Sequence, residues 1–253
     1  MTARATLDAE SAPQIVTRLF EIRDSLGPDD LIFTTNPLVG ELLKTDPFAF
    51  LLAASVDRGM AAELAWELPA KLRNKIGHLD PARIARMNEA EVLDVLRSIE
   101  GRPRYLSAAA RTIVDVASHV VERYGGDTRR IWTDRPVREI QRRLMDIYGV
   151  GRGIASMVLN LLIFLDEFHP SAEDYREIDV KPDRHVSRVF GRTGLCSLDP
   201  TEDEVIKCAR RLLPSYPGKL DAPSWHVGRN WCHASSPDCS SCRLSDLCPK
   251  RGT

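Results

Sequence analysis

The chain has 253 residues, 43% hydrophobic and 28% charged, enough for one large or two small domains with a real core, which excludes disorder as the default state. Lys plus Arg (35) and Asp plus Glu (36) leave a formal net charge of -1, excluding a uniformly basic nucleic-acid binder but not a local basic face. The longest apolar stretch, 157–165, is interrupted by Asn160 and is far too short to span a bilayer. The opening MTARATLDAESAP has no basic-then-apolar signal pattern. The expected location is therefore the cytoplasm, with no membrane partner.

In chain order, Ile15, Leu19, Ile22 and Leu26 recur at helical spacing, and Gly27-Pro28 stops that helix. Asp46-Pro47 is a helix-start signal for PFAFLLAASVDRGMAAELAWELPAKL, whose alanine-rich composition favours helix; Asp57-Arg58-Gly59 divides it in two. Periodicity predicts further helices over 81–87, 89–99, 106–124 and 137–147. A polar connector at 173–177 precedes helices over 182–192, 202–213 and from 222 to the first clustered cysteine. No strand pattern or internal repeat is visible. The short connectors carry Gly or Pro, as at 101–103 and 125–127, so the expected fold is compact and all-α.

Three segments carry chemistry. The first is Gly149-Val150-Gly151-Arg152 between two helices. Its glycines permit positive φ, and the amides and dipole at the next helix start suit one DNA phosphate; a tight turn that binds nothing is the alternative. Seven arginines against three acids over 129–152 give a local excess of four positive charges. In the second segment, Asp183 stands at the mouth of a helix bearing His185, Arg188 and Val189. It serves either as an N-cap or as a carboxylate that stabilises positive charge on a deoxyribose and orients a water. The third is Cys232-x6-Cys239-x2-Cys242-x5-Cys248, four of the six cysteines within the last twenty-two residues. Four thiolates suit tetrahedral zinc or a four-iron cluster, and spacing does not separate them. Cys196 and Cys208 read as ordinary semi-buried thiols.

In this order the three segments resemble the helix-hairpin-helix (HhH-GPD) DNA glycosylase superfamily, in its iron-sulfur, endonuclease III-like branch, over about 47–248. The resemblance implies an all-α, two-lobed fold. Residues 1–45 would form an N-terminal helical segment on the cluster lobe, and 46–170 a six-helix barrel lobe with the hairpin at about 137–165. The Asp183 helix and cluster loop would occupy 171–253. It implies a 4Fe-4S cluster on Cys232, Cys239, Cys242 and Cys248 rather than zinc, with Asp183 as the catalytic residue. Gly149, Val150, Gly151, Arg152, Arg58 and His185 are then candidate DNA contacts, and the partner is duplex DNA carrying a damaged or mismatched base, bound by a monomer.

The sequence departs from that pattern where bifunctional members place a lysine two residues after the second hairpin glycine. Gly153 stands there and supplies no amine, so the expected enzyme is a monofunctional hydrolase of the N-glycosidic bond. The alternatives are a glycosylase/lyase using another amine, such as Lys181, and a non-catalytic iron-sulfur DNA-binding protein. Where related enzymes present duplex-wedging glutamines, this chain has Asp57, Arg58, Gly59 and Met60, so Arg58 or Met60 becomes the candidate wedge. An insert at about 166–179 offers Glu173, Asp174 and Tyr175 as candidate base contacts, and Arg243 and Lys250 are candidate loop contacts. The target base is not legible.

Overall fold

The computed structural model describes residues 11–27, 30, 34–58 and 60–253; the polar leader, Pro28 and Gly59 lie outside them. Among the described residues every regular element is helical, as the sequence pattern predicts. By contacts the chain divides into two units, Gly27–His169 and Met1–Leu26 with Pro170–Thr253.

The first unit is built on α3 (Pro47–Val56). Its residues 48–56 are all buried, as expected of a helix apolar all round. Pro47 fixes the first turn, and the Asp46 carboxylate accepts hydrogen bonds from the Phe48 and Ala49 amides at 2.9 and 3.2 Å. Around α3 pack α2 (Pro37–Thr45), α4 (Ala62–Ile76), α7 (Leu106–Tyr124) and α9 (Arg152–Phe164). The break expected at 57–59 separates α3 from α4. The short α5 (Pro81–Ile84) and α6 (Glu89–Arg97) lean on α7, and α6 starts with a reciprocal Asn88/Glu91 capping box. The helix α2 was not predicted, although Asn36-Pro37 is a start signal and Asn36 caps it. It packs on α3 and α4, so residues 37–45 belong with this unit rather than with the N-terminal helix, because their apolar face, Val39, Leu42 and Leu43, is buried there.

Within this unit His119 is a buried titratable group (6% exposed) beside Tyr124, and its Nε2 has no hydrogen-bond partner. Burial lowers its pKa below the usual histidine value. Below pH 6.5 the unfolded chain therefore takes up this proton more readily than the folded one, so stability falls as pH drops from about 6.5 toward 5. In urea unfolding at pH 7 and pH 5, His119→Gln should show a smaller loss than wild type; equal losses would remove His119 as a cause.

The second unit joins α1 (Ser11–Asp24) to the C-terminal third. Ile15, Leu19 and Ile22 enter one core with Val186, Val189, Phe190, Val205, Ala209, Leu220, Val227 and Leu244. That core draws on α11 (Arg184–Thr193), α12 (Glu202–Leu212) and α13 (Asp221–Asn230), and α11 packs against α13. Arg18 ties α1 to the cysteine loop through Asp246 and the Arg243 carbonyl, and Arg243 donates to Ser25 Oγ at 2.7 Å. Arg243, expected as a loop contact for a partner, thus has an internal partner because its guanidinium reaches back to Ser25, just past the end of α1. The insert contains a further helix that the polar composition concealed, α10 (Ala172–Tyr175), capped by Ser171, with Tyr175 against Tyr216 at 4.7 Å.

Cys196 and Cys208 are not separate thiols: the structure pairs them as a disulfide across 12 residues. The start of α12, set by the Thr201/Glu204 capping box, turns Cys208 back toward the segment after α11, a proximity that linear spacing does not reveal.

Candidate active site and cysteine centre

The hairpin lies in the first unit, between α8 (Val137–Met145) and α9. Gly149 has φ +84°, a conformation that strains any residue with a Cβ. Space reinforces this, since a Cβ there would lie 2.5–2.6 Å from the Arg58 guanidinium. The turn is held by α7: Asp115 accepts from the Tyr148 amide at 2.6 Å, Thr112 Oγ1 donates to the Tyr148 carbonyl at 3.3 Å, and Arg111 lies 3.9 Å over the Tyr148 ring. Arg58 donates to Thr112 Oγ1 at 3.2 Å and also faces the Tyr148 ring. Arg58, expected as a wedge, therefore braces the hairpin. Val150 is buried (5% exposed) and anchors the turn, so only its backbone is offered, while Gly151 and Arg152 are exposed. No side chain caps α9, and an uncapped helix start is where first-turn amides meet an anion.

Much of the expected local charge is spent internally. Arg129 pairs with Glu167, Arg130 with Asp127, Arg142 with Asp146 and Arg143 with Glu139. Gly149→Ala should lower the unfolding free energy by about 1–2 kcal/mol through the left-handed backbone alone. Urea unfolding reads this, and an unchanged midpoint would mean that the turn tolerates a Cβ.

Asp183 lies in the second unit and is partly exposed. Its Oδ1 accepts from the His185 and Val186 amides at 2.8 and 2.9 Å, so it is the N-cap of α11. The approach to it, 178–183, is pinned at three points. Asp179, 1% exposed, takes both arms of Arg210 at 2.7 and 3.0 Å. The Gly218 amide donates to the Ile178 carbonyl at 2.8 Å, and buried Asp221 accepts from the Lys181 amide at 2.6 Å. Sequence reasoning missed Asp179, Arg210 and Asp221, for which a polar residue type at unremarkable spacing is the only signal. His185, expected to touch DNA, packs half-buried against Trp225, 5.7 Å between ring centroids, and leaves no room for a side chain at Gly228, where a Cβ would lie 2.8 Å from its own Cβ. Burial lowers its pKa. Its place holds α11 against α13.

The same helix carries the cysteine loop. Arg188 donates to the carbonyls of Cys232, Gly228 (2.9 Å) and Arg184 (3.0 Å). Buried Arg192 reaches the carbonyls of His233 and Ala234 and lies 3.5 Å from Cys232 Sγ. Cys232, Cys239, Cys242 and Cys248, none in a disulfide, line one cavity with Val189, Arg192, Trp231 and Leu244. Among the described residues no group of three or more His, Cys, Asp or Glu side chains is set to hold a single metal ion. Burial, and then the neighbouring cysteines, push the Cys242 and Cys248 thiols up. Four ionised sulfurs in this cavity would require positive charge among them, and the donor set fits a four-thiolate zinc or iron-sulfur centre.

No family model matches the chain. In sequence it is 29% identical over 160 residues to endonuclease III of Haemophilus influenzae, covering 62% of this chain and 64% of that protein. It is 27% identical over 161 residues to endonuclease III of Escherichia coli, covering 59% and 64%. Each match thus spans just under two thirds of the relative's length. In fold, a trapped covalent intermediate of endonuclease III with DNA superposes with a TM-score of 0.66 over 94% of this chain and 96% of that one, at 23% identity. The chain has an endonuclease III-like fold. A thermostable thymine-DNA glycosylase has the same fold, with a TM-score of 0.62 over 95% and 96% of the two chains at 15% identity. An endonuclease III-like fold is what the three ordered motifs imply, and the all-helical architecture agrees. Among the described residues no helix is long and apolar enough to cross a membrane.

Proposed function

We propose that the protein is a monofunctional DNA glycosylase of base-excision repair, which flips a damaged or mismatched base from duplex DNA and hydrolyses its N-glycosidic bond. The observation that carries the reading is the state of Asp183. One carboxylate oxygen is locked by two backbone amides at the mouth of α11, on a segment fixed by Arg210, Gly218 and Asp221, in an endonuclease III-like chain. A carboxylate held this way is preorganised: its second oxygen stabilises an oxocarbenium-like sugar as the base departs and orients the attacking water without reorganising. The Gly149–Gly151 turn would hold a phosphate through backbone amides, which positions DNA without reading its sequence.

Cys232, Cys239, Cys242 and Cys248 would hold a 4Fe-4S cluster, which when bound supplies the charge that four thiolates need and orders the loop, breaking no bond itself. Gly153, where the resemblance places the lyase lysine, favours hydrolysis by water over a Schiff base. We place the activity in the cytoplasm, on duplex DNA, in a monomer. The test is single-turnover base release from duplexes carrying uracil or thymine mismatches, alkylated purines, oxidised bases and adenine opposite a lesion. Release from at least one, with no borohydride-trapped adduct, is expected. A trapped adduct would replace this reading with a lyase acting through an amine such as Lys181. Binding with no release from any duplex would leave a non-catalytic DNA-binding protein.

A further inference from the structure

The Cys196–Cys208 disulfide has no role in the assignments above, yet it backs the cysteine loop. Both residues belong to the core of the second unit, 8% and 7% exposed. Cys196 follows α11: its amide donates to the Phe190 carbonyl at 3.1 Å, and its carbonyl accepts from Arg251 Nη1 at 3.2 Å. Arg251 stands three residues after Cys248, and its own amide donates to the Arg192 carbonyl at 3.1 Å. The Leu198 carbonyl covers Gly191 of α11 so closely that a Cβ there would collide with it, and the Leu198 side chain lies against Gly252, where a Cβ would come within 3.1 Å. Residues 196–198 are thus a strap with α11 on one side and the chain end beyond Cys248 on the other. At the far end of the bond, Cys208 Sγ lies 3.6 Å from Nη2 of Arg211, one turn further along α12, and Arg211 is exposed. A guanidinium beside a sulfur favours the thiolate, the nucleophilic form, once the bond is open.

We propose that Cys196 and Cys208 are a reversible thiol–disulfide switch whose state sets how firmly the cysteine loop is held to α11. In the cytoplasm proposed above, thiol reductants keep most cysteine pairs open, and a pair that closes there is characteristically a redox-responsive one. Closure uses a small disulfide as oxidant. The Cys208 thiolate attacks one of its sulfurs, breaking that S–S bond and releasing one thiolate. The Cys196 sulfur then attacks Cys208 Sγ, breaking the mixed bond and releasing the second. The protons of the two cysteines go to the two released thiolates, so the pair loses two electrons and the small disulfide gains them. Opening is the reverse, with two small thiols as reductant. The closed bond ties the strap to α12 across 12 residues and so restricts the local opening that would free Arg251 and the chain end. Burial of both sulfurs makes the exchange slow, and Arg211 marks the side on which it begins. The inference rests on the proposed location and needs no excision activity.

The test equilibrates the full chain, as isolated with its cysteine centre, in mixtures of reduced and oxidised glutathione. Alkylation and peptide mass spectrometry read the state of Cys196 and Cys208, and amide hydrogen exchange reads 192–198 and 249–253. The pair should close with oxidised and open with excess reduced glutathione, and opening should speed exchange in both segments about ten- to hundredfold. The double variant Cys196→Ala/Cys208→Ala should exchange at the open rate in every mixture; should it fail to fold, the wild-type titration still decides. Arg211→Gln should slow closure about three- to tenfold, an effect on rate that a merely structural arginine would not produce. A pair that stays closed in excess reduced glutathione is a permanent staple, and the proposal is overturned. A pair that opens while exchange at 249–253 is unchanged overturns it equally. Base release enters none of these readings, so the glycosylase reading stands or falls on its own test.

Discussion

Replacing Asp183 by Asn should cut single-turnover base release by about 10²–10⁴-fold with little effect on folding. Asp183 has two duties that one substitution can separate. As the N-cap of α11 it accepts the His185 and Val186 amides through Oδ1, and Asn accepts the same bonds nearly as well, so the helix should lose only a few tenths of a kcal/mol. What Asn cannot supply is negative charge beside a developing cation. Asp183→Ala removes both duties and should additionally cost about 1 kcal/mol of stability. Full release by the Asn variant, with unfolding unchanged, would return Asp183 to the role of a cap alone.

Removing one sulfur, as in Cys242→Ala, should abolish the broad absorbance at about 400 nm expected of an iron-sulfur centre together with bound iron and sulfide. It should also lower the melting temperature of the unit containing α1 and residues 170–253 by about 10 °C or more. The size follows from the architecture: the loop from Cys232 onward has little regular structure after α13 and is held to α11 mainly by Arg188 and Arg192. Because burial raises the Cys242 and Cys248 thiols, protons compete with the metal for these ligands. The sign is that acid weakens the centre and alkali does not. A protein that retains the chromophore without Cys242, or that binds zinc and no iron, would remove the cluster from the account.

Helix positions follow from the sequence to within a few residues wherever an apolar face and a punctuating Gly, Pro or cap coincide, as at α7, α8, α11, α12 and α13; α3, apolar all round, follows instead from its Asp46-Pro47 start and its composition. α2 and α10 escaped because one is short and the other polar, so neither offers several turns of periodicity. The cysteine spacing and the Gly149–Gly151 turn were equally legible, since both are local chemistry written in consecutive residues.

What local pattern could not give was who faces whom. Arg58 lies ninety-one residues from the glycine it covers, Asp179 finds Arg210 across a helix, and the disulfide joins two cysteines that read as strangers. The arginine-rich stretch 129–152 summed to a basic face, yet folding set four of its guanidiniums against carboxylates. Sequence by itself determined the helical class, the four-thiolate donor set and the acid at the head of α11, because these depend on spacing along one chain. Tertiary structure decided which charges remain for a partner and which groups hold that acid still, because side-chain pairing depends on distances that only packing fixes.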